Sequence, residues 1–478
     1  MDIYPVPVHP VTPPPPVPAV DPPRRRARLP RDVRRRHDRE IVALALPAFG
    51  ALVAEPLFLM ADSAIVGHLG TRQLAGLGVA AALLTTAVNV FVFLAYATTA
   101  AVARRVGAGD LSSAVRQGVD GIWLALLLGV AVVAAVLPGA PLLADVFGAS
   151  GEATGYAVTY LRISSLGIPA MLMVLAATGV LRGLQDTRTP LVVAVAGFAP
   201  NAGLNLVLVY GAGLGIAGSA WGTVIAQNGM AAAYLVVVVR GARRHLGDGP
   251  GAAGRWAVLR PDTAGIRACA TAGVPLLVRT LSLRAILVIA TAVAARLGDA
   301  QVAAHQILVT LWILLAFALD AVAIAGQAII GRYLGADDAD GARAACRRMV
   351  EWGIAAGVLL GVAVAVTRPL FVPLFTGDAS VRAQLMPALL VVALTQPLGG
   401  VVFVLDGVLM GAGDGSYLAW AMLGTLAVFA PAAFAVPALG GGVTMLWWAM
   451  GVFMLTRMLF LWARARSGRW IVTGAVRP

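Results

Sequence analysis

The 478-residue chain is 59% hydrophobic and 12% charged, with a mean hydropathy of +0.85. A water-soluble fold of that composition lacks the polar residues to cover its surface, so soluble globular classes are excluded and lipid is the main solvent. The net charge of +13 is carried without a single lysine. Its arginines gather in alternate connecting segments rather than along one face, which argues against a nucleic-acid partner.

The first 23 residues are rich in proline, and with the arginine run that follows they read as a disordered tail over 1–40. No short apolar stretch with a cleavage site precedes the first long apolar segment, so a removable signal peptide is not expected. A spanning helix needs about 20 mainly apolar residues. Twelve such segments follow, at roughly 41–66, 76–102, 117–138, 158–182, 189–212, 215–239, 270–295, 301–330, 348–368, 385–411, 417–437 and 442–463.

Nine arginines lie between Arg24 and Arg39, more occupy the central segment from Arg240 to Arg267, and Arg464, Arg466 and Arg469 close the chain. Residues 138–157 contain none. The positive-inside rule therefore puts both termini and the central segment in the cytoplasm, as an even number of spans requires. The predicted organisation is a tail (1–40), an N-lobe of six spans (41–240), a basic cytoplasmic linker (241–268), a C-lobe of six spans (269–464) and a cytoplasmic tail (465–478). The setting is a cell membrane and a monomer. Cys269 and Cys346 lack metal spacing and read as inert small residues.

An internal repeat divides the spans. A shift of 228 residues puts Pro47 on Pro275, Gly70 on Gly298, and Arg104, Gly107 and Asp110 on Arg332, Gly335 and Asp338. The same shift later puts Pro169 on Pro397, Gly183 on Gly411 and Asp186 on Asp414. Six spans per copy give both copies one orientation, hence parallel repeats about an axis along the membrane normal with a cavity between them. The expected fold is an all-α membrane protein of twelve helices in two pseudo-symmetric lobes.

The segments EPLFLMADSAIVGHLG (55–70), PNAGLNLVLVYG (200–211), GSAWGTVIAQ (218–227), AAHQI (303–307), FALDAVAIAGQAIIGRYLGADD (317–338) and VLDGVLMGAGD (404–414) resemble multidrug and toxic compound extrusion (MATE) transporters. The likeness is greatest to their DNA-damage-inducible-F branch and covers roughly residues 40–463. The resemblance implies alternating access between two lobes. It also implies export of organic, often cationic, compounds in exchange for H+ or Na+, with no cofactor and no enzymatic activity.

Ionisable residues inside spans are costly, about 2.5–3.5 kcal/mol each at the bilayer centre on insertion scales, so each calls for a reason. Asp62 and Glu55 lie seven residues apart in the first span, on nearly one side. A buried carboxylate that exchanges a proton for another cation is what coupling requires, and Asp62 matches the first-span aspartate of the family. A structural acid is the plainer alternative. Asp320 and Asp406 belong to the second lobe and replace Val92 and Thr178 of the first; they are candidates for substrate attraction or coupling. Arg279 and Arg284, about 140° apart on the seventh span, are candidate ion-pair partners.

Asn201 and Asn205 share one face of the fifth span. Archaeal relatives carry an aspartate where Asn205 falls, so a two-acid proton network is in doubt here, while hydrogen bonding to Asp62 or an oxygen for sodium stays open. The seventh span lacks the glutamate of the sodium-coupled branch, which leans coupling toward H+. Pro47 and Pro56 mark the first span for bending; the resemblance assigns Pro47 that role. His305 and Gln306 read as structural, and Trp312, Met410, Trp447 and Trp448 as core or interfacial. Four acids against two arginines favour cationic cargo; a metabolite exporter and a lipid-linked precursor flippase are the competing readings.

Overall fold

The computed structural model describes residues 31–146, 148, 151–245 and 259–477, apart from the side chains of Arg31, Glu55 and 242–245. Residues 1–30 and 246–258, where the disordered tail and most of the basic linker are expected, lie outside the described residues, and so does the Glu55 side chain. Fourteen α-helices occupy the rest: α1 (Arg31–Gly67), α2 (Thr71–Val90), α3 (Phe93–Gly107), α4 (Leu111–Val146), α5 (Glu152–Ser165), α6 (Ile168–Gly183), α7 (Arg188–Leu206), α8 (Gly215–His245), α9 (Thr263–Arg296), α10 (Asp299–Gly335), α11 (Ala339–Phe375), α12 (Ala379–Gly411), α13 (Gly415–Ala438) and α14 (Val443–Ser467). The pairs α2–α3 and α5–α6 each make one span, the second bent by 50°, which gives twelve spans. A π-helical turn, Val207–Gly211, ends the fifth span.

Three boundaries differ from the sequence reading. Residues 31–40, expected in a disordered tail, form the first turns of α1. Asp38 anchors them by accepting hydrogen bonds from Arg348 Nε (2.6 Å) and Trp352 Nε1 (2.7 Å) of α11. At the C-lobe's start α9 begins at Thr263 rather than 269, because the Asp262 carboxylate caps it through the Ala264 N–H at 3.1 Å. The C-terminal segment is packed rather than free: Trp470 is buried, Gly474 N–H donates to Leu334 O, and Arg477 pairs with Asp414 at 2.9 Å.

The repeat appears as paired local geometry. Gly70 and Gly298 precede α2 and α10 with φ of 139° and 112°, conformations that favour glycine. Asp110 and Asp338 each accept the backbone N–H three residues on, at 3.0 and 2.7 Å. Hydrogen bonds from Ser113 and Ser112 hold the Asp110 carboxyl below the usual carboxylate range.

The repeated glycines also seal the lobes together. A Cβ on Gly107 would lie 2.0 Å from Arg332 O, and one on Gly335 would lie 1.9 Å from Arg104 O. Around this contact Arg332 pairs with Glu40 and donates to Gln185 Oε1 at 2.7 Å, while Arg104 donates to Ala412 O at 2.8 Å and to Val472 O and Gly474 O of the tail. Hydrogen bonds and ion pairs that join the lobes gather toward this end, where α1 begins and α3, α6, α10 and α12 finish. The bundle is closed at one end.

Candidate functional site

Asp62 stands on α1 five residues before its end and is 4% exposed. Three helices bring it partners: Ser219 Oγ of α8 donates at 2.6 Å, Asn205 Nδ2 of α7 at 2.8 Å and Tyr160 Oη of α5 at 3.2 Å, with Asp62 accepting. No ion pair reaches it among the described residues. Tyr160 belongs to an apolar cluster with Val66, Leu77, Leu161, Ile216 and Ala220, which shields the carboxylate from water. Hydrogen bonds to a charged acceptor contribute about 1.5–3 kcal/mol each, enough to hold a buried acid without a counter-charge.

Local sequence sets this geometry. Gly222 leaves room for Asn205, since a Cβ there would fall 1.9 Å from Asn205 Oδ1. One turn earlier on α7, Asn201 is buried, and both Asn201 Oδ1 and Asn205 Oδ1 have no hydrogen-bond partner. Proline at 200 and the π-turn frame the pair, and Tyr210 Oη donates to Ile65 O at 2.6 Å, tying that turn to the end of α1. Pro47 and Pro56 lie within a helix that stays unbroken to Gly67. Ala48, next to Pro47, is buried against Ala321 and Ile324 of α10, so this half of α1 packs across the lobes.

In the C-lobe, Asp406 is 3% exposed and accepts from two arginines. Arg279 of α9 reaches it through Nε at 3.3 Å and again through Nη2, and Arg457 of α14 through Nη2 at 2.9 Å. Arg279 also lies over the Tyr96 ring of α3 at 5.8 Å, carrying the cluster across the lobe boundary. Asp320 of α10 keeps some accessible surface and sits within Coulombic reach of Arg182, Arg279, Arg457 and Asp406. Arg284 is partly buried and, among the described residues, forms no ion pair, so of the two expected arginine partners only Arg279 serves as one.

His305 is fully buried, its Nε2 3.3 Å from Thr291 Oγ1 within the C-lobe, and Trp312, Met410 and Trp447 are core residues; Trp448 is exposed. Tyr160, Ser219, Arg182 and Arg457 escaped the sequence reading. Arg457 was visible in VFMLTRMLFLW, an arginine in mid-span, while Arg182 fell on an expected span end. Two arginines that the sequence reading left out, Arg182 and Arg457, join Arg279 within reach of the C-lobe acids.

The MatE family model matches residues 47–210 and 275–434, the two halves of the repeat. Protein DETOXIFICATION 44, chloroplastic, of Arabidopsis thaliana is 31% identical over 454 residues, which cover 90% of this chain and 83% of that protein. DNA damage-inducible protein F of Escherichia coli (strain K12) is 30% identical over 443 residues, 91% of this chain and 94% of its own. The crystal structure of the Vibrio cholerae MATE transporter VcmN in the bent form shares the fold at a TM-score of 0.82 and 20% identity, covering 91% of this chain and 98% of that one. Two repeated six-span lobes, a family match in each and relatives along the whole bundle lead to one assignment: the chain belongs to the MatE family of multidrug and toxic compound efflux transporters.

Proposed function

We propose that this protein is a secondary active antiporter that exports organic compounds in exchange for protons by alternating access, with Asp62 as the coupling acid. The observation that carries the reading is the company Asp62 keeps. Its partners are one amide and two hydroxyls, all uncharged. A hydroxyl can turn from donor to acceptor, so the same network serves a carboxylate and a carboxylic acid without leaving a buried group unpaired. An acid locked to arginine lacks that freedom. Under the positive-inside rule the sealed arginine-rich end is the cytoplasmic one, which supports reading this arrangement as the state closed to the cytoplasm, of a monomer in a cell membrane with both termini inside.

Sodium is the second reading, and a specific feature supports it. Two buried amide oxygens, on Asn201 and Asn205, lack partners beside the Asp62 carboxylate, and hard cations take oxygen ligands. Proteoliposomes with separately imposed proton and sodium gradients decide between them, with ethidium and 2-naphthalenesulfonate as probes. A proton gradient is expected to drive export of at least one probe, and Asp62→Asn to abolish the drive. Unaltered gradient-driven export in that variant removes Asp62 from coupling; no movement of either probe under either gradient removes the antiport reading.

A further inference from the structure

The arginines at the lobe boundary outnumber the acids that face them. Arg182, Arg279 and Arg457 come from three helices of both lobes and are 8%, 7% and 2% exposed, against Asp320 and Asp406. The group carries one net positive charge, and Arg284 on α9 adds a second at the next turns. Each guanidinium has five N–H donors in a planar fork. Asp406 accepts from Arg279 Nε and Nη2 and from Arg457 Nη2, yet Arg457 Nε is buried with no partner. The Arg182 side chain, in a residue 8% exposed, makes no hydrogen bond or ion pair among the described residues and has only the charge of Asp320 within Coulombic reach. A buried cation without a partner is strongly destabilising, and buried donors in native proteins are nearly always satisfied. The surplus therefore has a use.

We propose that Arg182, Arg279 and Arg457 form the receptor for an anionic group of the exported molecule, so that the cargo is an organic anion rather than a plain organic cation. Arg457 supplies a buried Nε without a partner, Arg182 a guanidinium that no carboxylate pairs, and Tyr96 an aromatic face beside Arg279. A carboxylate, sulfonate or phosphate matches a guanidinium fork in shape and charge. Asp320, partly accessible, offsets one of the arginine charges and keeps the site from carrying a larger positive charge. The site deepens the antiport reading above by naming its cargo, but its occupancy does not depend on coupling.

The test titrates purified full-length protein in detergent with two probes of one shape and opposite charge, 2-naphthalenesulfonate and 2-naphthyltrimethylammonium. Calorimetry is expected to give the sulfonate at least about tenfold tighter binding, the effect of one charge-assisted hydrogen bond. Arg182→Gln is expected to weaken the sulfonate about tenfold and leave the ammonium unchanged, with Arg182→Lys keeping most of the affinity. Equal or tighter ammonium binding to the native protein overturns the proposal, as does an Arg182→Gln variant that weakens both probes alike or neither. If that variant does not fold, the two probes on native protein decide alone. Sulfonate selectivity without gradient-driven export would keep this site and end the antiport reading; proton-driven ethidium export by a protein indifferent to sulfonate would do the reverse.

Discussion

Replacing Gly107 with alanine places a Cβ 2.0 Å from Arg332 O, where real Cβ contacts essentially never fall below 3.0 Å. The obstacle is backbone, so no rotamer change relieves it, and the α3 and α10 ends must move apart by about an ångström, an overpacking cost of about 1–3 kcal/mol. The residue ends a right-handed helix without positive φ. Alanine is therefore locally favoured there, by about 0.5–1 kcal/mol over glycine, and the penalty falls only on the state in which the lobes meet. The expected result is a shift of about 5–150-fold toward the state closed at the opposite end. Spin labels on Thr71→Cys and Asp299→Cys, exposed residues at equivalent places in the two lobes, with Cys269 and Cys346 replaced by alanine, report it by pulsed dipolar spectroscopy. The inter-label distance should shorten in Gly107→Ala and again in Gly335→Ala, whose Cβ would meet Arg104 O at 1.9 Å. A distance distribution identical to that of the parent protein, with the fold intact, would refute the assignment of this contact as the gate.

Asp406→Asn strips the carboxylate from between Arg279 and Arg457 and is expected to destabilise the C-lobe by about 3–5 kcal/mol, read from denaturation midpoints in detergent; adding Arg457→Met should recover part of the loss. Gly222→Ala drives a Cβ to 1.9 Å from Asn205 Oδ1 and breaks the bond to Asp62. Gradient-driven export should fall about tenfold or more, the value of one hydrogen bond to a charged group, while the spin-label distances stay unchanged. Deleting residues 468–478 removes the Val472 and Gly474 carbonyls that Arg104 holds. The same labels should then report a shift in the direction of Gly107→Ala, smaller because the glycine contact survives.

The spans were legible because lipid enforces a simple rule: about 20 apolar residues per crossing leave a trace in hydropathy that no packing detail erases. The repeat was legible because glycines, prolines and capping aspartates are tied to backbone geometry, and 228 residues apart they recur in the same turns. The ends of the chain were not. Residues 31–40 look like a charged tail, and only the arrival of Arg348 and Trp352 from more than 300 residues away gives Asp38 a reason to order them. The site was half legible. Asp62 announced itself as an acid in an apolar run, whereas Ser219 and Tyr160 are ordinary polar residues whose meaning depends on three-helix convergence. Glu55 and Asp62 share a helix side by spacing, but spacing names no partner. Arg457 was there to be counted, and leaving it out undercounted the positive charge beside Asp406.

The repeat separates geometry from chemistry. Positions that match under the shift, such as Gly107 with Gly335 and Asp110 with Asp338, shape turns and contacts. Positions that carry charge in the spans do not match. Asp62 falls on buried Ala290, Asp406 on Thr178 bonded to Tyr234, Arg279 on Ala51, Arg182 on Met410 and Arg457 on Gly229. Two like-shaped lobes suit a rocking motion, because each can turn as a body against the other around a site between them. Identical lobes, however, would bind an ion and a cargo equally well on both sides and leave nothing to tie one to the other. An antiporter needs differential affinity between its states, and in this chain only the unmatched residues can supply it. Under the proposed antiport, an acid with neutral partners in one lobe and a surplus of guanidinium groups at the lobe boundary would be that difference.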